Sequence, residues 1–171
     1  MRLPKEQYYL DIAKEIAQRS TCLCFKVGAI IVKDDVILGS GYNGAPRKTG
    51  DCLERGNCLR EGLKIPEGRK LEICRGVHAE ANCIINASRA GMNVLGGDIY
   101  LWVENKEGQP VDAIFCFICK KMIINVGLHR VVSSKRDGSH AVSYIDEWTK
   151  DWEERDILDD QYQNGDNLNN L

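Results

Sequence analysis

HAEANCIINASRAG (78–91), IYLWV (99–103), CFICKKMIINVG (116–127) and HRVVS (129–133) alternate helical stretches with short apolar ones. Gly91 and Gly127 stand where a left-handed C-terminal cap would stop each helix. Strand, helix and strand in succession predict parallel strands covered by helices, an α/β fold. Upstream, residues 5–19 carry Tyr9, Ile12, Ala13 and Ile16 at helical spacing, which predicts a first amphipathic helix. FKVGAIIVK (25–33) and VILGSGY (36–42) flank Asp34-Asp35 and read as two strands joined by a tight turn. Residues 43–76 are rich in Gly, Pro, charge and cysteine and show no sustained period. Asn43-Gly44 and Pro46 mark turns there, and so long an irregular stretch needs a tie. Glu104 to Ile114 reads as a polar loop.

The chain has 171 residues, 43% of them hydrophobic, enough for one domain with a core that needs no disulfides. A formal net charge of −2 argues against a bulk nucleic-acid binder. No apolar stretch approaches the roughly 20 residues that span a bilayer, and the start carries no signal-peptide pattern. The chain is therefore expected to be cytoplasmic, where cysteines more often bind metal or react than pair. The main domain is expected over 1–150. From Asp146 the acidic residues outnumber the basic by 9 to 2, and 151–171 is expected to be an acidic, polar and poorly ordered tail, with 161–171 fraying.

His78-Ala79-Glu80 opens one helix and Cys116-Phe117-Ile118-Cys119 another. Two thiolates and an imidazole are ligands zinc accepts, and three of them leave its fourth position open, the mark of a catalytic site. Two helix N-termini aimed at the ion would help hold the thiolates ionised. Glu80, two residues after the histidine, can stand beside a bound water without ligating, where a proton shuttle is needed. A thioredoxin-type redox pair would explain the cysteines but not His78 and Glu80. A closed structural zinc would need a fourth ligand; Cys83 is the candidate, although its place inside the helix favours the core.

At these residues the chain resembles the cytidine deaminase superfamily, whose signature is H-x-E with P-C-x-x-C. More narrowly it resembles the deoxycytidylate (dCMP) deaminases. VGAIIV (27–32), GYNGAP (41–46), CLREGLKIPEG (58–68), HAEANCII (78–85) and CKKMIINVGLHRVV (119–132) carry that resemblance. It implies a three-layer α/β/α sandwich with a mixed sheet of about five strands. It implies hydrolysis of dCMP to dUMP and ammonia, which supplies thymidylate precursors. His78, Cys116 and Cys119 would hold zinc. Glu80 would take a proton from the attacking water, protonate N3 and later serve the departing ammonia. The Ala79 backbone would read the pyrimidine, Asn43 would meet the deoxyribose and Lys26 would lie near the phosphate. The other reading of Asn43 is that it only shapes its turn. A homo-oligomer, often a hexamer, with dCTP and dTTP as effectors is also implied. Phe115 stands where the family has proline, and 104–114 is an insertion. These departures keep open another substrate: dCTP, a modified cytosine nucleotide or a nucleoside. An inactive zinc-binding regulatory module is the non-enzymatic alternative.

The other cysteines suggest a second, structural zinc. Cys52, Cys58 and Cys74 lie in the stretch that lacks a core pattern. Cys22 and Cys24 alternate along an extended approach, so one of them should face it. Cys22, Cys52, Cys58 and Cys74 could close a tetrahedron. The chain is similar here to phage members with a second zinc at the positions of Cys22 and Cys52. Scattered buried thiols are the alternative.

Overall fold

The computed structural model describes residues 2–66 and 69–155. Five strands form one sheet in the order β2-β1-β3-β4-β5, with β1 Phe25–Lys33, β2 Val36–Tyr42, β3 Asp98–Asn105, β4 Arg130–Ser134 and β5 His140–Tyr144. The longer helices are α1 Lys5–Ala17, α4 Ala79–Arg89, α5 Phe117–Asn125 and α6 Ile145–Glu154. Asp34 and Asp35, at φ 50° and 63°, make the tight turn between β1 and β2. Two successive positive φ values match the right-handed twist of the hairpin. β3 and β4 are parallel and the other pairs antiparallel, so the sheet is mixed.

Strand alternation divides the core between two faces. Ile30, Val32, Tyr100, Trp102 and Val132 meet α1 on one side. Ala29, Ile31, Ile99, Leu101 and Val131 meet α4, α5 and α6 on the other. Helices on both faces make the three layers. Glycines set how closely the helices approach. A Cβ on Gly28 would lie 2.5 Å from the backbone nitrogen of Ala17, and one on Gly41 2.3 Å from that of Cys83. α1 and α4 therefore press directly on β1 and β2.

Several expectations are revised. The 43–76 stretch contains two one-turn helices, α2 Cys52–Arg55 and α3 Leu59–Gly62, and a 3₁₀ turn at Leu71–Ile73. α2 is too short to show a period, but a capping box holds it: Asp51 accepts from the Glu54 N–H, and Glu54 accepts from the Asp51 N–H. The loop expected from Glu104 begins later, because β3 runs on to Asn105. The chain then turns back along the strand, with the Val111 N–H donating to the Val103 carbonyl at 3.1 Å. Helix α6, not expected from the sequence, runs through residue 150. The fraying expected of 161–171 lies outside the described residues.

Candidate metal centre and catalytic site

The His78 segment is tied to the turn after β2. The Gly44 N–H donates to Val77 O at 3.1 Å, and the Val77 N–H donates back at 2.8 Å. From α4, Asn82 Nδ2 donates to Tyr42 O and Asn86 Nδ2 to Ser40 O, both at 2.8 Å. Two asparagines one helical turn apart thus fasten α4 to the edge strand. Their (i, i+4) spacing was the available signal for this role, which sequence reasoning missed.

His78 is the N-cap residue of α4, with Ala79 and Glu80 as its first helical residues, both buried. Cys116 is the N-cap residue of α5, and its sulfur accepts from the Cys119 N–H at 3.3 Å. The two helix starts meet. Nδ1 of His78 lies 3.3 Å from Cys116 Sγ and 3.4 Å from Cys119 Sγ. Tetrahedral zinc with Zn–S near 2.3 Å and Zn–N near 2.0–2.1 Å requires N···S of about 3.5 Å. The three donor atoms therefore fit zinc in kind and in spacing, with Nδ1 as the histidine donor.

The three donors share their protons unevenly, and binding zinc displaces those that Cys119 and His78 retain. The hydrogen bond from Cys119 draws the Cys116 thiol down, and His78 adds to this. Cys119, sharing that hydrogen bond and buried, is pushed up. The bond to Cys116 raises His78 against the effect of its burial. Burial raises the Glu80 carboxyl, although His78 opposes it. A carboxyl so raised holds a proton more readily than an exposed one, as a proton shuttle must. Cys83 is fully buried in the α4-side core, and burial pushes its thiol up to about 12.

The remaining site candidates fall out differently. Ala79 is the first residue of α4, so its N–H belongs to the turn whose donors lack helical partners. Both ends of the Asn43 amide hold β1: Oδ1 accepts from the Val27 N–H and Nδ2 donates to Phe25 O, each at 2.9 Å. Lys26 is corrected. It alternates with Val27 onto the face that carries α1, opposite α4 and α5. There its Nζ donates to Gln18 Oε1 at 2.9 Å and pairs with the buried Glu104 at 3.5 Å.

The cysteine-rich stretch is also revised. A bend at residues 23–24 breaks the extended approach, so both thiols turn toward it. Cys24, Cys58 and Glu61 bring ligand atoms within 4.8 Å of one another. Cys74 lies within electrostatic reach of Cys22 and Cys52. Sulfur also accepts from backbone here: the Cys24 N–H donates to Cys22 Sγ and the Gly76 N–H to Cys74 Sγ, both at 3.4 Å. Cys24 and Glu61 were missed, because the alternation argument removed the first and the second carries no motif.

Residues 3–135 match the family described as the cytidine and deoxycytidylate deaminase zinc-binding region. The chain belongs to this family of zinc-dependent hydrolytic deaminases. It is 34% identical over 132 residues to a deoxycytidylate deaminase of Mycobacterium phage D29, covering 76% of this chain and 94% of that one. It is 30% identical over 142 residues to the deoxycytidylate deaminase of Schizosaccharomyces pombe, covering 82% of this chain but only 40% of the yeast protein. Among solved structures, the dCMP deaminase of cyanophage S-TIM5 in complex with dCMP and dUMP superposes with a TM-score of 0.59 at 26% identity. That match covers 79% of this chain and 84% of the other.

Proposed function

We propose that the protein hydrolyses dCMP to dUMP and ammonia at a zinc held by His78, Cys116 and Cys119. The observation that carries this is the meeting of His78 Nδ1 with two cysteine sulfurs at 3.3 and 3.4 Å beside a buried Glu80. Zinc bound there would supply a Lewis acid able to bring water to a pKa of about 7. Glu80 receives the proton of the attacking water and passes it to N3 of cytosine; it then takes the proton of the new C4 hydroxyl and delivers it to the amine as the C4–N bond breaks and the C4 carbonyl forms. Its burial keeps that proton from exchanging with bulk solvent. The Ala79 N–H, at the opening turn of α4, orients the pyrimidine. Each end of the Asn43 amide has capacity for one further hydrogen bond beyond its bond to β1, and the deoxyribose would use it.

The cyanophage relative bound to dCMP and dUMP favours a monophosphate. Turnover measured on dCMP, dCTP, a modified dCMP and cytidine tests this. The highest kcat/KM should fall on dCMP; a higher value for any other compound reassigns the substrate, and none for all of them leaves a zinc-binding module. The product would feed thymidylate synthesis in the cytoplasm, a setting consistent with the free state of all the cysteines. Exposed Ile85, Ile114 and Ile118, on or beside α4 and α5, support a homo-oligomer, for which dCTP and dTTP are the effectors to assay. Among the described residues no helix is long and apolar enough to cross a membrane.

A second zinc site, structural in role, is proposed in the cysteine-rich stretch. Cys24, Cys58 and Glu61 converge there and share only Cys58 with the expected set of Cys22, Cys52, Cys58 and Cys74; one further thiol of that set would complete a tetrahedron. Two zincs per chain and chelation-induced loss of structure over 50–76 are expected. One zinc in fully active protein would reject this second site.

A further inference from the structure

The Cys116–Cys119 pair follows residues 111–115, which have no regular structure. The residues on either side of the pair are gripped from outside. Phe115, just before Cys116, packs on Trp148 of α6 with 5.6 Å between ring centroids and 52° between planes. Lys120, just after Cys119, places Nζ 5.3 Å from the Trp148 ring and 5.9 Å from that of Trp152. Trp148 and Trp152, four residues apart, share one face of α6. The helix is itself anchored: Ile145 is buried, and its N–H donates to His129 O at 3.1 Å. α6 also lies beyond residue 135, where the family match ends.

We propose that α6 positions the zinc-binding thiols. The Trp148–Trp152 face holds Phe115 and Lys120, and so fixes the two sulfurs between them opposite His78. This rests on reading His78, Cys116 and Cys119 as the zinc ligands. Stacked rings and a cation over indole give both grips a preferred geometry as well as apolar contact. Trp148 is on this account a positioning residue, acting on the metal through Phe115 and on the helix start through Lys120.

Zinc release from the full chain to a chromophoric chelator tests the proposal without any substrate. The release phase that is missing in His78→Ala belongs to this site. Trp148→Ala is expected to speed that phase about 10- to 100-fold, the usual effect of losing a residue that orients a metal ligand, while Trp148→Phe stays within about threefold. Adding Phe115→Ala to Trp148→Ala should speed it no further, because both changes remove one contact. Cobalt substitution should show an altered d–d spectrum in Trp148→Ala and a restored one in Trp148→Phe. Unchanged release and an unchanged spectrum in folded Trp148→Ala would overturn the proposal. If Trp148→Ala does not fold, Trp148→Leu, which keeps apolar volume without the ring, decides by the same readings. A wild-type protein with no His78-dependent phase would overturn the metal site and this proposal together. Tryptophan-dependent release without dCMP turnover would overturn only the proposed reaction.

Discussion

Replacing Asn43 by alanine separates two roles that one amide could serve. The side chain closes two hydrogen bonds to β1, from the Val27 N–H and to Phe25 O, each 2.9 Å long. Alanine leaves the Val27 donor without that partner, while Phe25 O still receives the Ser20 hydroxyl at 3.3 Å. A buried donor left unsatisfied costs about 1–3 kcal/mol and a lost net hydrogen bond about 1 kcal/mol, so the total is about 2–4 kcal/mol. At about 2–4 °C per kcal/mol for a chain of this size, Tm should fall by about 5–15 °C. Asn43→Asp keeps an acceptor for Val27 and loses only the donor to Phe25, about 1 kcal/mol, and should show about a quarter to a half of the loss. Calorimetry of both zinc-loaded variants measures this, and kcat/KM for dCMP measured well below Tm reports the sugar contact separately. A Tm for Asn43→Ala within about 2 °C of wild type would refute the structural role drawn from these bonds.

Glu80→Gln preserves shape but cannot carry protons; zinc content should stay whole while kcat falls at least about 10²–10⁴-fold, and near-normal turnover would sink the shuttle. Gly41→Ala would set a Cβ 2.3 Å from Cys83 N and 2.6 Å from Ala79 O, pushing on the first turn of α4. It should destabilise by about 1–3 kcal/mol or more and lower activity, whereas Gly62→Ala, with nothing within 4 Å, should be neutral or stabilising in urea melts. Burial would raise the Glu104 carboxyl, but hydrogen bonds from Gln18 and Trp102 and the charge of Lys26 hold it below its ordinary range. A depressed folded value contributes stability that is present above the unfolded pKa of about 4.3 and is lost as pH falls through the folded one. The gap in urea midpoint between wild type and Glu104→Gln should therefore narrow below about pH 4.3; a gap that stays constant from pH 7 to 3 would contradict the pairing.

The parts of the fold that could be read from sequence are those with strong local chemistry. The β1–β2 hairpin follows from β-branched runs around Asp34-Asp35, and the starts of α4 and α5 from histidine and cysteine motifs placed before helical periods. β5 was not legible because HAVSY (140–144) is short and half-exposed, stabilised by pairing with β4 rather than by its own composition. α6 was obscured by acidic residues that made it read as the approach to a tail. Its meaning emerges only when Trp148 meets Phe115 across the fold. At the site, residue types and spacing were sufficient to single out His78, Cys116 and Cys119, whose donor atoms the structure gathers, and Glu80, which it buries in the first turn of α4. They did not reveal that the Asn43 amide also holds strand backbone, nor that Cys24 joins Cys58 and Glu61, where one bend undid the alternation.

The central claim is that water, activated at the His78–Cys116–Cys119 zinc and relayed by Glu80, replaces the amino group of dCMP. Incubating zinc-loaded protein with dCMP in ¹⁸O-labelled water, with mass analysis of the product and assay of ammonia, tests it most directly. The account predicts dUMP carrying one ¹⁸O at C4 and one ammonia per product, both lost in Glu80→Gln and in His78→Ala. Unlabelled product, or labelled dUMP formed equally well by either variant, would contradict it.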